Sequence, residues 1–416
     1  MFIRKKKIIF AAILTASSLY ASTFFSGYAG GKINFQDNPL NETGEFDPDL
    51  TMQAFFAGQF SFSQNTWAHL EMSIDTEDLL TENILDTTTA KFRLDEFSYI
   101  IRGNLPSTTN YFSAFMGTYD PVGSDIFLQR YFSIEPIASK LTESYMGLSG
   151  SVLYPQFGAG VADIIRLHSS PMAFGMYAYV NKYKYDENNI LDDSIFTLNT
   201  DLRYANVFRY FTCDFAAGLG IPLKNEHNGE DVLVAVDKLY FHAGTTLLFG
   251  NNYTNAMFIQ AGINAPLINK DSQNEITISP EKLYLLLEPR FVLQNFHIIV
   301  SAYSFPKNTA ERLLFVDDED FVGADLHMYS ANIMIGNLGF TIGGHLSFSV
   351  PKTLNLIIDH PDEMLQDGYN LNVTPYVTLP FLSGELHIQG KVKIMDIANN
   401  NAQRAFSADL GYRARL

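Results

Sequence analysis

The sequence predicts an all-β protein, a transmembrane antiparallel up-and-down β-barrel of about 18 strands, with about 16 as the alternative count. Three observations lead to this prediction. Apolar and polar residues alternate in segments of about ten residues, which is the length of a tilted membrane-spanning strand. The connections between these segments are short and long in turn, and the last segment continues to the final residue.

The alternation has period two, so each segment places apolar side chains on one face and polar side chains on the other. In the second predicted strand, Met52 and Phe60 lie on one face and Gln53 and Gln59 on the other. The predicted strands are 24–36, 50–62, 66–74, 90–102, 111–119, 157–167, 172–183, 195–204, 208–220, 237–250, 254–265, 283–291, 296–303, 324–335, 338–350, 371–379, 386–394 and 403–416.

The connections alternate in length as in outer-membrane barrels, which have short periplasmic turns and longer extracellular loops. Residues 63–65 and 251–253 are short connections, and 75–89 and 351–369 are long ones. The longest connection is 120–156. Counted as one loop, it gives an even number of strands, whereas an additional strand at 144–154 would make the number odd.

The last strand, from Gln403 to Leu416, alternates throughout. Its final eight residues, Asp409-Leu410-Gly411-Tyr412-Arg413-Ala414-Arg415-Leu416, resemble the β-signal of bacterial outer-membrane barrels, although many of these end in Phe. The resemblance implies that this strand is recognised by the barrel-assembly machinery. As a class, the chain resembles porin-like outer-membrane β-barrels, without a motif of any particular family. That resemblance implies an outer-membrane lipid environment, a channel for small hydrophilic solutes and a possible homo-oligomer.

The N-terminal residues 1–21 have the features of a signal peptide. Arg4 and three lysines precede the apolar stretch Ile8 to Leu14, and cleavage is expected near Ala21. Residues 22–416 then form one barrel domain. No remaining segment offers the roughly 18 consecutive apolar residues of a transmembrane helix.

Composition excludes several classes of function. The formal net charge is −17 and nothing forms a basic patch, which argues against nucleic-acid binding. The single cysteine, Cys213, cannot form an internal disulfide. No cofactor or metal motif is present, since the acidic run Asp317 to Asp320 lacks the glycine turn and ligand spacing of a calcium loop.

The connection 120–156 is unusually apolar for an external loop, with runs such as Ile126-Phe127-Leu128 and Tyr131-Phe132. Exposed apolar groups of this kind are costly in water. In the porins that the chain resembles, the third external loop folds into the lumen, and we expect the same here. The candidate residues of the resulting pore constriction are Asp120, Asp125, Arg130, Glu135 and Lys140. The alternative is that this loop packs over the rim or adds a strand.

Charges on the inward faces of the last two strands are the second candidate set. These lumen-lining residues are Lys391, Lys393, Asp409, Arg413 and Arg415. Charged rings set pore selectivity, so a basic wall favours anionic solutes. The alternative is that these charges only keep the lumen hydrated. Acidic loop runs, such as Asp192-Asp193, would instead attract cations to the mouth.

An enzyme is not predicted. His345 and Ser347 share a face, as a membrane-barrel lipase would require, but that face is the inward one, and no Gly-x-Ser-x-Gly motif is present. The favoured function is a porin-like channel for passive or weakly selective diffusion of small hydrophilic solutes. The alternatives are a plugged surface adhesin or structural barrel and a transporter of hydrophobic ligands.

Overall fold

The computed structural model describes residues 24–37, 47–81, 90–123, 126–134, 137–141, 157–182, 196–227, 230–235, 238–251, 253–269, 283–305, 322–336, 338–366 and 368–416. The predicted signal peptide lies outside these ranges. None of the helices within them is long and apolar enough to span a membrane.

Most of the described chain forms strands. They are β1 (Phe24–Asp37), β2 (Pro48–Ser63), β3 (Thr66–Thr76), β4 (Ala90–Asn104), β5 (Thr108–Thr118), β6 (Phe157–Leu167), β7 (Met172–Lys182), β8 (Phe196–Phe208), β9 (Phe211–Pro222), β10 (Lys224–His227), β11 (Glu230–Ala235), β12 (Lys238–Phe249), β13 (Ala256–Asn269), β14 (Leu283–Leu293), β15 (Phe296–Ser304), β16 (Val322–Ile335), β17 (Leu338–Val350), β18 (Asn370–Phe381), β19 (Gly384–Lys393) and β20 (Phe406–Arg415). The helices are α1 (Ile126–Phe132), α2 (Leu354–Asp359) and α3 (Ile394–Ala398), with 3₁₀ turns at Pro361–Glu363 and Ala402–Arg404.

Eighteen of these strands form one closed antiparallel barrel, which confirms the predicted fold class and the higher of the two strand counts. Each barrel strand pairs with the next one along the chain, and β9 pairs with β12. The last strand closes the ring, because β20 pairs with β1 from Tyr28↔Arg415 to Phe35↔Ala408. Closure removes the sheet edge that would otherwise remain unpaired.

The two faces of the barrel differ as the alternation predicts. Large apolar side chains stay exposed on the outside, for example Phe112, Leu202 and Met328. Polar side chains point inward, and many of them, such as Gln260 and Thr374, are buried. Because hydrocarbon cannot solvate polar groups, this arrangement suits a barrel surrounded by lipid.

Three connections differ from the prediction. The turn expected at 205–207 lies inside β8, which continues to Phe208. Residues 221–236 were expected to form a loop, but β9 continues to Pro222, and β10 and β11 pair as a separate hairpin. The last connection was expected at 398–402, but it spans 394–405 because α3 begins directly after β19. The possible extra strand at 144–154 lies outside the described residues.

Candidate functional site

The loop that follows β5 turns into the barrel at its first residues. Asp120 has a φ of 44°, in the left-handed region that Asp tolerates better than most residues, and Gly123 has a φ of 85°. The carbonyl oxygen of Gly123 accepts a hydrogen bond of 2.6 Å from Gln260 on the inward face of β13. This part of the loop therefore lies against the inner wall.

Asp120 is the centre of a buried cluster that joins the loop to the wall. Its carboxylate accepts hydrogen bonds from Arg130 Nη1 at 2.5 Å, from Tyr131 at 3.2 Å and from Tyr177 of β7 at 3.1 Å. Arg130, with 9% of its side chain exposed, also donates to Glu96 of β4 at 2.7 Å. Burial raises the pKa of the Asp120 carboxyl, and the positive charge of Arg130 opposes that shift.

Arg203 of β8 forms a second buried tie. It donates from Nε to Asp214 Oδ1 at 2.7 Å, from Nη2 to Asp214 Oδ2, and from Nη1 to the carbonyl oxygen of Asp120. Its guanidinium also lies 4.2 Å from the ring centroid of Phe127 in α1. One arginine on the wall therefore contacts the start of the loop and the helix within it.

Glu288 of β14 holds the far end of the described loop. Its carboxylate accepts hydrogen bonds from Ser139 Oγ at 2.5 Å and from the backbone N–H of Lys140 at 3.1 Å. The neighbouring Arg290 donates to the carbonyl oxygen of Ala138 at 2.8 Å and to Glu288 at 2.8 Å. The loop thus crosses the lumen from β5 to β14.

Between these ties the loop is apolar and buried. The buried residues of α1 are Phe127, Leu128, Tyr131 and Phe132. They belong to one hydrophobic cluster with inward side chains of the barrel, including Tyr111 and Phe258. A hydrophobic core inside the barrel explains why the loop sequence is apolar, since folding inward removes these side chains from water.

The structure brings together some of the predicted constriction residues. Asp120 and Arg130 form an ion pair, and Lys140 is half-buried at the far end of the loop. Asp125 and Glu135 lie outside the described residues. Sequence reasoning missed Glu96, Arg203, Glu288 and Arg290, which hold the loop; their only sequence signal was a charge on an inward strand position, which these four residues share with other charged residues of the wall.

The predicted lumen charges all lie on the inward faces of β19 and β20, but at two different heights. Lys391 pairs in register with Ser407, near the long-loop end of the barrel, whereas Arg413 pairs with Glu385 near the turn end. Arg413 also forms an ion pair with Glu385 at 2.9 Å. Lys393 is the last residue of β19, at the long-loop end, and Arg415 is the last residue of β20, at the turn end. These basic residues do not form one continuous patch.

Asp409 is paired as well. It accepts from Lys32 Nζ at 2.8 Å and from Asn34 Nδ2 at 2.9 Å, both on β1. Most of the charges described on the lumen wall are thus bonded to an opposite charge, which weakens the field that they produce together. Among the described residues, no group of three or more His, Cys, Asp or Glu is placed to hold a metal ion.

A further wall pair depends on a glycine. Asp201 of β8 and His242 of β12 are joined at 2.9 Å across the intervening strand β9, where Gly218 is in register with both. A Cβ at Gly218 would overlap the Asp201 carboxylate and lie 2.5 Å from His242 Nε2. The pair therefore requires a residue without a side chain between its members.

We expect Gly218→Ala to separate Asp201 from His242 and to lower the free energy of unfolding by about 1–2 kcal/mol, because the ends of both side chains have to move and their buried hydrogen bond is lost. Urea unfolding followed by tryptophan fluorescence measures this loss. Gly103→Ala is the matched control, since a Cβ there meets no atom within 4 Å. Equal stability of the two variants would contradict the proposed dependence on Gly218.

Comparison with known proteins supports the fold. The structure of OccAB3 from Acinetobacter baumannii is similar over 94% of this chain and 99% of that chain, with a TM-score of 0.50 and 8% sequence identity. The chain has a porin-like barrel fold. A variant of the Rhodopseudomonas blastica porin matches over 95% of this chain and all of that one, with a TM-score of 0.40 and 8% identity. Salmonella typhi OmpF matches over 95% and 97%, with a TM-score of 0.37 and 12% identity.

No family model and no curated protein matches the sequence. At such low identity the similarity to the solved structures extends to the architecture only.

Proposed function

We propose that the protein is an outer-membrane channel through which small hydrophilic solutes diffuse, with the loop after β5 setting the size limit. The observation that carries this proposal is the path of residues 120–141: all their described segments lie inside the barrel and are tied to its inner wall. The wall from β16 through β20 to β3 carries inward polar residues such as Asn34, Gln53 and Thr378. A polar wall facing a fixed loop suits the passage of hydrated solutes.

Only weak selectivity for charge is proposed. Asp120, Arg130 and Asp409 each have an oppositely charged partner within hydrogen-bonding distance. Their contribution to the electrostatic field in the lumen is therefore small, because each charge lies beside an opposite one and they do not form a ring of a single sign. The preference for anions is proposed for the long-loop end, where Lys391 and Lys393 contribute two positive charges.

Membrane insertion is proposed to follow from the same architecture. The exposed apolar outer face would be embedded in outer-membrane lipid after export and removal of residues 1–21. The β-signal resemblance lies in β20, the strand that closes the barrel on β1. Recognition of this strand by the assembly machinery would thus be linked to closure of the barrel. Assembly of several barrels into a homo-oligomer is compatible with this architecture.

The test is reconstitution of the full chain without residues 1–21 in planar lipid bilayers. We expect discrete single-channel steps, and liposome swelling that stops above a threshold solute size. A correctly folded barrel, recognised by heat-modifiable gel mobility, that remains electrically silent would refute the channel and favour a plugged adhesin.

The charge proposal has its own test. We expect the double variant Lys391→Gln/Lys393→Gln to shift the reversal potential in a salt gradient towards cation preference, because two positive charges leave the lumen entrance. Lys391→Arg/Lys393→Arg keeps the charges and is the control. An unchanged reversal potential in the glutamine variant would assign the selectivity to other residues.

A further inference from the structure

Five neighbouring strands, β15 to β19, carry a row of aromatic rings on their inward face. We call it the ring row, and it consists of His297, Tyr329, His327, His345, Tyr376 and His387. The ring centroids of His297 and Tyr329 are 4.4 Å apart with an interplanar angle of 1°, and those of His327 and His345 are 3.8 Å apart at 12°. Tyr329 and His327 lie 5.0 Å apart. The first two pairs join neighbouring strands, which are ~4.8 Å apart, whereas Tyr329 and His327 both lie on β16. Tilted ring contacts continue the row from His345 to Tyr376, at 6.0 Å and 36°, and from Tyr376 to His387, at 5.4 Å and 30°.

Hydrogen bonds fix the orientation of the rings. His345 Nδ1 lies 2.9 Å from Asp325 Oδ2, and His327 Nε2 lies 2.8 Å from the Tyr376 hydroxyl. Nδ1 of His387 lies 2.8 Å from Thr378 Oγ1. Because both partners of each bond belong to the wall, the ring row is preorganised before any solute arrives.

The ring row begins where the inward loop ends. Glu288 accepts from both Ser139 of the loop and Ser301 of β15, the strand that carries His297. The described hydrogen bonds and ring contacts of the loop go to β4 to β8, β13 and β14, and the ring row continues from there along the next strands. A solute that passes beside the loop therefore meets the ring row.

The surface that the ring row offers is aromatic and polar at once. His327 and His345 are almost fully buried, with 6% and 4% exposed, and support the stack. Tyr329, Tyr376 and His387 are half-buried and remain accessible. The ring row itself contains no Lys or Arg, and one oxygen of the Asp325 carboxylate lies 2.9 Å from His345 Nδ1. Lys32 and Asp409, on the next strands β1 and β20, are paired with each other at 2.8 Å. The row itself therefore offers groups that stack and hydrogen-bond.

We propose that the ring row is a binding site for uncharged, flat heteroaromatic solutes, such as nucleosides. Such a molecule has a π face that stacks on phenol and imidazole rings, and edge nitrogens and oxygens that hydrogen-bond to their polar atoms. This inference rests on the proposed channel function and names the class of solute that the channel retains longest.

Gly343 of β17 is the residue on which the arrangement depends. It is in register with Tyr329 on one side and Tyr376 on the other. A Cβ at this position would lie 2.6 Å from Tyr329 Cβ and 2.6 Å from both Cζ and Oη of Tyr376. The missing side chain is what lets the Tyr376 ring lie across β17 and reach His327. The next residue, Gly344, faces outward, and a Cβ there would meet atoms only at 3.4 Å and beyond.

The experiment measures binding of uridine to the refolded full chain without residues 1–21 by isothermal titration calorimetry, with sucrose as an uncharged non-aromatic comparison. We expect uridine to bind and sucrose not to bind. Tyr376→Leu removes one stacking ring and should weaken uridine binding by about tenfold. Gly343→Ala should weaken it similarly by displacing that ring, whereas Gly344→Ala should bind as the unmodified chain does.

Two results would overturn the proposal: no uridine binding by the folded barrel, or unchanged binding by both Tyr376→Leu and Gly343→Ala. Heat-modifiable gel mobility shows that each variant is folded before it is titrated. Single-channel recording separates this proposal from the channel itself. A conducting barrel that does not bind uridine refutes only the site, and a silent barrel that binds it refutes only the channel.

Discussion

Arg203→Met is expected to lower the free energy of unfolding by about 3–5 kcal/mol, the range for breaking a buried ion pair on one side. The side chains of Arg203 and Asp214 are 1% and 0% exposed. Methionine leaves the Asp214 carboxylate buried without its partner, and it also removes the donor to the Asp120 carbonyl. Equilibrium unfolding in urea, with the barrel in lipid vesicles, measures the change.

Two controls separate burial from charge. Arg413→Met breaks the more exposed pair with Glu385 and should cost no more than about 1 kcal/mol. The double variant Arg203→Met/Asp214→Asn removes the uncompensated charge and should recover part of the stability that the single variant loses. If Arg203→Met and Arg413→Met were equally stable, the buried tie would not stabilise the barrel as proposed.

Glu288→Ala is expected to enlarge the single-channel conductance, because it releases the far end of the inward loop. Ser139 Oγ and the Lys140 N–H lose their acceptor, and Arg290 loses its carboxylate. Removal of the carboxylate from this buried ion pair should also lower the free energy of unfolding by about 3–5 kcal/mol. Planar-bilayer recording gives the step size, and the frequency of short current transitions reports movement of the freed segment.

Glu288→Gln is the matched variant, since its amide oxygen replaces one of the two carboxylate oxygens and keeps an acceptor for either Ser139 Oγ or the Lys140 N–H. Its conductance should lie closer to that of the unmodified chain. A step size in Glu288→Ala that equals the original would mean that residues 137–141 do not narrow the pore, and the size limit would then lie elsewhere in the lumen.

The barrel fold was predictable from the sequence because the alternation of apolar and polar residues can be seen within each strand, without knowledge of its neighbours. Period-two alternation, as in 50–62, follows from one side of each strand facing outward, and β2 indeed covers this segment. The inward path of the described residues between 120 and 141 was also predictable, because the apolar runs in this segment are visible in the sequence. The hairpin β10–β11 was missed because its two strands of four and six residues are too short to establish a pattern.

The partners within the lumen were not predictable in the same way. Asp120 and Arg130 could be named as candidates, but their pairing with Glu96, and that of Arg203 with Asp214, depends on which strands are neighbours and on register. The basic set on β19 and β20 shows the same limit. Sequence placed Lys391 and Arg413 on one face, whereas the register places them towards opposite ends.

The ties of the inward loop also constrain the order of assembly. Ser139 and Glu288 are separated by 149 positions along the chain, and Gly123 and Gln260 by 137. The loop between β5 and β6 therefore forms these hydrogen bonds only after β13 and β14 have joined the barrel. Until then its apolar helix has only part of its final surroundings. Docking of the loop is thus a late step of assembly, and a docked loop indicates that most of the barrel has already formed.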